Sequence, residues 1–298
     1  MLPGAREGIV LLDKPPGQTS FQALTLIKRA VRTRRVGHAG TLDRFAEGLL
    51  VVLIGRMTRL SGLATGMEKE YVASFTFGTE TDTLDPEGVV VAQGPVPGRE
   101  DLEAALPSLV GQVMQVPPAY SAIHVRGRRA YQAARSGEQV VLAPRPVTIH
   151  ALSLISFDPP VATIRVACSR GTYVRSLARD LAARLSTRGF VSQLRRTRIG
   201  GFRVEDAKRP EDFDPACDIL PPAALFDASS DLHRLRLRDE CRQKAGQGAP
   251  LEDSSFLDPP TTDGLFGAFT GDGELVAVVE RRGARYRYAA AFPSPATP

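Results

Sequence analysis

His38 and Asp43 lie five residues apart in the stretch Val36-Gly37-His38-Ala39-Gly40-Thr41-Leu42-Asp43-Arg44-Phe45-Ala46-Glu47-Gly48-Leu49-Leu50. Three glycines surround them, and the apolar run Leu49 to Ile54 follows directly. A polar, glycine-rich segment opening onto a buried strand presents reactive side chains on a loop backed by a rigid scaffold. A carboxylate so placed can act as a nucleophile or take part in proton transfer. Asp43 is therefore the foremost candidate for chemistry. A second corner of the same kind is Ser169-Arg170-Gly171-Thr172-Tyr173-Val174-Arg175, a strand end, a glycine turn and a helix start. Such corners bind anions, but with no GxGxxG or Walker pattern a nucleotide cofactor is not expected. The acidic loop Gly78 to Gly88 invites a metal by its density of carboxylates. It lacks the calcium-loop spacing and holds no His or Cys, so no metal is expected there.

Elements must position these groups. Gly8 to Leu12 reads as a buried strand stopped by Asp13-Lys14-Pro15-Pro16-Gly17. Thr19 or Ser20 offers an N-cap to a helix whose Phe21, Leu24, Ile27 and Val31 recur at helical spacing. Lys28, Arg29, Arg32, Arg34 and Arg35 close that helix, either as cations favoured by the helix dipole or as phosphate contacts leading into the Asp43 stretch. Tyr71 to Phe77 alternates as a half-buried strand, where a leading tyrosine is usually a packing residue. A helix is expected over Arg99 to Leu109, interrupted by Pro107, then a strand over Tyr120 to Val125 and a short basic helix over Arg128 to Arg135 closed near Gly137. Pro146 to Phe157 and Val161 to Cys168 read as paired strands. Tyr173 to Leu185 reads as a helix with Val174, Leu177, Leu181 and Leu185 as its apolar stripe and Arg175, Arg179 and Arg184 off it.

Composition shifts after Arg209-Pro210. Beyond the linker Asp227 to Asp231 come strand-like pieces, Leu232 to Leu237, Gly264 to Thr270 and Glu274 to Val279, with Gly271-Asp272-Gly273 as a hairpin signal. The expected division is a domain over 1–229 and a small β-rich domain over 230–298.

The chain of 298 residues is long enough for a sizeable core. Its net charge is +5, and 33 of its 38 basic residues are arginine. Arginine suits phosphate and base contact, although a GC-rich coding sequence produces the same bias. Cys168, Cys217 and Cys241 form no CxxC, so neither a disulfide framework nor a zinc site is indicated. No secretory leader stands at the start, and no apolar run approaches the roughly 18 residues of a membrane span. A cytoplasmic protein without membrane attachment is expected.

Five motifs in order carry a resemblance over nearly the whole chain: Gly8-Ile9-Val10-Leu11-Leu12-Asp13-Lys14-Pro15, Gly37 to Asp43, Lys69-Glu70-Tyr71, Cys168 to Arg175, and Leu194-Arg195-Arg196. The chain resembles the bacterial tRNA pseudouridine-55 synthases, the TruB family. The resemblance implies an α/β (α+β) catalytic domain with a mixed, largely antiparallel central sheet, followed by a small β-barrel RNA-binding module of the PUA type. It implies isomerisation of uridine 55 in the tRNA T-loop, in which the N1–C1′ bond breaks and the uracil rejoins through C5. No cofactor or metal is implied, the partner is the tRNA T-arm, and the chain is expected to act as a monomer.

By the same resemblance Asp43 is the catalytic carboxylate, Arg175 pairs with it and keeps it ionised, and Tyr71 stacks on the extruded uracil and takes part in proton movement. His38 helps occupy the space the base vacates or holds the flipped strand, Lys14 and Leu194 line the pocket, and Tyr173 and Arg59 join the RNA-binding set. Three positions depart from the family pattern: Ala39 where threonine is usual, Arg44 where proline is usual, and His124 where a lysine is often seen. Arg44 is free to reach a phosphate or a carboxylate such as Glu47. A related synthase with another target and a non-catalytic RNA-binding protein are the alternatives. The trio Asp43, Tyr71 and Arg175 favours catalysis, because a pure binder needs only phosphate contacts.

Overall fold

The run Leu49–Ile54 contains no polar side chain because both of its faces are covered, and all six residues are fully sealed from solvent. It is the centre of a computed structural model that describes residues 7–121, 124–125, 128–129 and 142–293. In chain order the elements are β1 (Gly8–Lys14), α1 (Ser20–Val31), β2 (Val36–Ala39), β3 (Glu47–Ile54), α2 (Ser61–Gly66), β4 (Lys69–Phe77), the hairpin β5 (Thr79–Thr81) and β6 (Val90–Gln93), and α3 (Arg99–Ala105). Then come β7 (Gly111–Gln115), β8 (His124–Val125), β9 (Arg128–Arg129), β10 (Arg145–Asp158), β11 (Val161–Cys168), α4 (Val174–Arg184), β12 (Gly189–Ile199) and β13 (Phe202–Arg203). The last part holds α5 (Ala223–Asp227), β14 (Leu232–Arg236), α6 (Arg242–Gly246), β15 (Gly264–Phe269), β16 (Leu275–Arg282) and β17 (Arg285–Ala291).

A nine-stranded sheet runs β1-β3-β12-β4-β11-β10-β7, with β2 added beside β3 and β13 beside β12. Its pairings are antiparallel except β12 with β3, so the mixed, largely antiparallel sheet expected from the sequence is present. β1 covers one edge of β3 from Gly48 to Ile54. The other edge is shared: β2 takes Val51 to Ile54, and β12 takes Glu47 and Gly48. The chain between β2 and β3 therefore crosses a fork where two strands part, and Asp43 lies in that crossing. Gly48 makes the fork possible, because its φ is +101° and a Cβ there would stand 2.4 Å from the Arg196 carbonyl oxygen.

Several expectations need correction. Phe21 is 67% exposed, because the buried stripe of α1 is Ser20, Ala23, Leu24, Ile27 and Val31. Its ring instead lies under the Lys28 ammonium at 4.3 Å. Arg128 and Arg129 form a strand paired with His124–Val125 rather than a helix start, and the rest of that expected helix lies outside the described residues. Tyr120 and Ser121 stand in a bend rather than a strand, and the described part of the strand expected over Tyr120 to Val125 is His124–Val125.

The C-terminal strands form an open sheet, β14-β15-β16-β17, rather than a closed barrel, since β14 and β17 do not pair among the described residues. Gly271-Asp272-Gly273 makes the expected hairpin between β15 and β16, with Gly273 at φ +84°. One apolar set of this sheet packs within itself, around Leu237, Phe256, Phe266 and Val276. Phe269, Leu275, Val278 and Phe292 instead join Ile9, Leu11, Leu49 and Val51 in a single cluster. The small sheet is thus welded to the large one by shared core.

Candidate active site

The Asp43 loop is pinned from three sides. Ser20 Oγ, at the start of α1 and 2% exposed, accepts the Leu42 N–H at 2.9 Å and donates to the Leu42 carbonyl at 3.1 Å. The Gly17 N–H donates to the Arg44 carbonyl at 2.8 Å, and Arg44 Nε donates back to the Gly17 carbonyl at 3.0 Å. From below, Arg196 Nη2 donates to the Gly40 carbonyl at 2.9 Å and its Nε to the Leu49 carbonyl at 2.7 Å. A loop held by its backbone leaves its side chains free to work.

Arg175 meets Asp43 from the first turn of α4. Its Nε stands 2.9 Å from Asp43 Oδ2, and its Nη2 donates to Oδ1 at 3.2 Å. The same guanidinium reaches Asp85 Oδ2 at 3.0 Å and the carbonyls of Thr83 and Tyr120, both at 2.9 Å. Those contacts explain why an arginine off the apolar stripe of its helix is only 4% exposed. The helix start is fixed by Gln115, whose side chain accepts the Tyr173 N–H at 2.8 Å and donates to the Tyr173 carbonyl at 3.1 Å. Asp43 keeps 39% of its side-chain surface, which faces a recess of about 1140 Å³. Removal from bulk water pushes its carboxyl up from the ordinary value, more than the pull of Arg175 brings it down.

Of the residues singled out in the sequence, Asp43, Tyr71, Tyr173, Arg175 and Leu194 line this recess together. Tyr71 is 7% exposed, and burial pushes its hydroxyl up, with the Arg196 guanidinium opposing. Three others do not line it. Lys14 is fully sealed, its ammonium spent on the carbonyls of Pro15 at 2.9 Å and Gln18 at 2.7 Å, so it has no surface to offer a base. Burial lowers its pKa to about 8. His38 stands on β2 with Nδ1 buried and unpartnered among the described residues, and burial pushes it down. Arg59 points to the C-terminal sheet and donates to the Ala291 carbonyl at 2.8 Å. Arg44 does not meet Glu47, which pairs with Arg195 at 3.3 Å. It remains exposed, 3.9 Å from Glu87.

Residues 28–174 match the model of the TruB family pseudouridylate synthases, N-terminal domain. That span takes in Asp43 and Tyr71 and ends one residue before Arg175. The chain is 45% identical over 226 residues to tRNA pseudouridine synthase B of Borreliella burgdorferi, covering 75% of this chain and 78% of the relative. It is 39% identical over 296 residues to the protein of the same name from Leifsonia xyli, covering 96% and 97%. The chain belongs to the TruB family. It is accordingly a pseudouridine synthase, an isomerase that acts on RNA. In fold it matches a chain of an archaeal box H/ACA Nop10–Cbf5 complex with a TM-score of 0.73 at 23% identity, covering 97% of this chain and 87% of the other.

For a TruB-family synthase the sequence reading left out the residues that hold the site: Ser20, Asp85, Gln115 and Arg196. Asp85 lay in the loop weighed for metal binding, where its neighbours hid it. Its carboxylate accepts from Thr83 Oγ1 at 2.6 Å and the Glu87 N–H at 3.0 Å, besides Arg175. Arg196 stood inside a quoted motif but read only as basic. Ser20 and Gln115 carried no signal, since a serine at a helix start and a glutamine in a strand are ordinary.

Proposed function

We propose that this chain converts uridine 55 in the T-loop of tRNA to pseudouridine. Its relatives are named for tRNA pseudouridine synthesis. The observation that carries the reading is the Asp43 carboxylate, gripped on one side by Arg175 and open on the other to a recess that also holds Tyr71. A uridine inside a folded loop has to leave its stack to reach that carboxylate, at a cost of a few kcal/mol. Asp43 then assists breakage of the N1–C1′ bond as nucleophile or proton acceptor, Tyr71 faces the uracil, and Leu194 supplies an apolar wall. His38 supports the strand from which the base is drawn.

The phosphate backbone is met by cations. Lys28, Arg29, Arg32, Arg34 and Arg35 at the end of α1 form no ion pair among the described residues and lead to β2. Residues 1–229 act as the catalytic domain, and 230–298 as an RNA-binding module of the PUA type. The enzyme works as a monomer in the cytoplasm, and among the described residues no helix is long and apolar enough to cross a membrane.

The test is to incubate the protein with an unmodified tRNA transcript and map pseudouridine by carbodiimide labelling and primer extension. A single new stop at position 55 is expected, absent from a transcript carrying cytidine there. Modification at another uridine, or none, contradicts the assignment. Binding to the same transcript should weaken steeply as salt rises, because each phosphate contact releases counterions.

A further inference from the structure

Arg195 and Arg196 are neighbours on β12 with opposite fates. Arg195 takes two carboxylates, Asp13 at 3.0 Å and Glu47 at 3.3 Å. Arg196 turns inward, is 1% exposed, and makes its hydrogen bonds to two carbonyls, those of Gly40 and Leu49. Among the described residues no carboxylate forms an ion pair with it. Burying a guanidinium without a counter-ion is unfavourable, and a neutral amide would serve to grip two carbonyls. The charge itself needs a use.

The groups around it narrow that use. Lys14 on β1, His38 on β2 and Lys69 on β4 all feel the Arg196 charge, as do Asp43 on the loop and Tyr71 on β4. Cys168 on β11 pairs across the sheet with Lys69. Lys69 and Arg196 are the buried cations that line the recess on this side, with Lys14 sealed behind them, and in the β12–β4 register Arg196 stands directly opposite Tyr71. Residues paired across a sheet share a face, with Cβ atoms about 5 Å apart.

We propose that Arg196 is a positioning residue of the isomerisation, whose fixed charge acts through Tyr71 by stabilising that hydroxyl as a phenolate. The proposal rests on the uridine-isomerase reading above. Once C5 has joined C1′, its hydrogen must leave. The C5–H bond breaks, its electron pair forms the C5=C6 double bond while the C6=N1 pair moves onto N1, which takes a proton from solvent, and the C5 proton passes to the Tyr71 oxygen, which becomes a neutral phenol and later releases it to solvent. Burial outweighs the other influences and pushes the Tyr71 hydroxyl up, and the Arg196 guanidinium is the foremost influence in the opposite direction.

A lysine at this position would carry the same charge but would lose it at accessible pH. Lys14 and Lys69, buried nearby, each lie at about 8. The test is release of tritium from C5-labelled uridine in tRNA, measured across pH for wild type, Arg196→Lys and Arg196→Gln. Expressing each variant as a ratio to wild type cancels the titrations they share. Arg196→Lys should hold within about tenfold of wild type near neutrality and fall as the pH rises and the buried ammonium loses its proton, while Arg196→Gln should be low throughout with no such step. A Lys ratio that is flat with pH, or a Gln ratio equal to it, overturns the proposal, since a purely structural grip has no titration of its own.

A second measurement needs no RNA. The chain has six tyrosines and no tryptophan, so tyrosinate absorbance near 295 nm is free of indole. The step lost in Tyr71→Phe should move to higher pH in Arg196→Gln, and an unmoved step counts against the coupling. If Arg196→Gln does not fold, the Lys-to-wild-type ratio decides alone. If wild type releases no tritium, the isomerase reading is what fails, and the absorbance titration still decides whether Arg196 governs Tyr71.

Discussion

Two polar loops offer a carboxylate to the same guanidinium, and only one of them keeps it accessible. Asp43, on the crossing between β2 and β3, retains 39% of its side-chain surface, whereas Asp85, in the loop after β5, retains 7%. Both stand about 3 Å from Arg175. The difference lies in what else each touches: Asp85 also accepts from Thr83 and from the Glu87 backbone, which fills its lone pairs, while Asp43 has Arg175 on one side and open recess on the other. An ion pair by itself says nothing of role. A carboxylate whose acceptors are all occupied holds the arginine, and one with a free face can react.

Breaking each side of this comparison should give different results. Asp85→Ala leaves Arg175 buried with half its charge compensation gone, so stability should fall by about 3 kcal/mol in chemical denaturation. An unchanged midpoint would mean that water enters and replaces the carboxylate. The next effect is on pH dependence. Asp43 must be ionised to react, and its carboxyl lies above the ordinary range because burial raises it. Activity is therefore expected in full at higher pH and lost as pH falls through a value above that of an exposed aspartate, as read from single-turnover rates. An acid limb at the ordinary carboxylate value would show that water reaches Asp43 freely.

A smaller effect is expected at Ser20, which touches the Asp43 loop only through Leu42. Ser20→Ala removes a buried two-way hydrogen bond, costing about 1–2 kcal/mol, and should slow the reaction more than it weakens RNA binding. Equal changes in both would place Ser20 outside the positioning of Asp43. The smallest concerns Arg59→Ala, which removes one exposed contact to the Ala291 carbonyl. Stability should change by less than about 1 kcal/mol, and a large loss of RNA affinity would restore Arg59 to the RNA surface.

What was legible in the sequence follows from the range of the forces involved. β3 announces itself as an unbroken apolar run, and β4, β11 and α4 because burial repeats along the chain at the period of the element, as in Val174, Leu177 and Leu181. Asp43 was legible because glycines on either side of a carboxylate mark a loop that must bend. The meeting of Arg175 with Asp85, 90 residues apart, leaves no local trace, and neither does the hold of Gln115 on Tyr173. The closed barrel was implied by the family resemblance and not by the residues themselves, whose hairpin signals fix neighbouring strands, whereas closure depends on whether first and last strands meet. β17 was within reach, since Arg285, Tyr286, Arg287 and Tyr288 alternate exposed and half-buried.

The most direct test of the Asp43 assignment is tritium release from C5-labelled uridine in tRNA under single-turnover conditions, with Asp43→Asn set against Asp85→Asn at equal RNA occupancy. Asp43→Asn should retain less than about a thousandth of the wild-type rate with unchanged thermal stability, while Asp85→Asn should lose stability and keep a measurable rate. Wild-type release by a folded Asp43→Asn would show that the reacting carboxylate is not the one this loop presents.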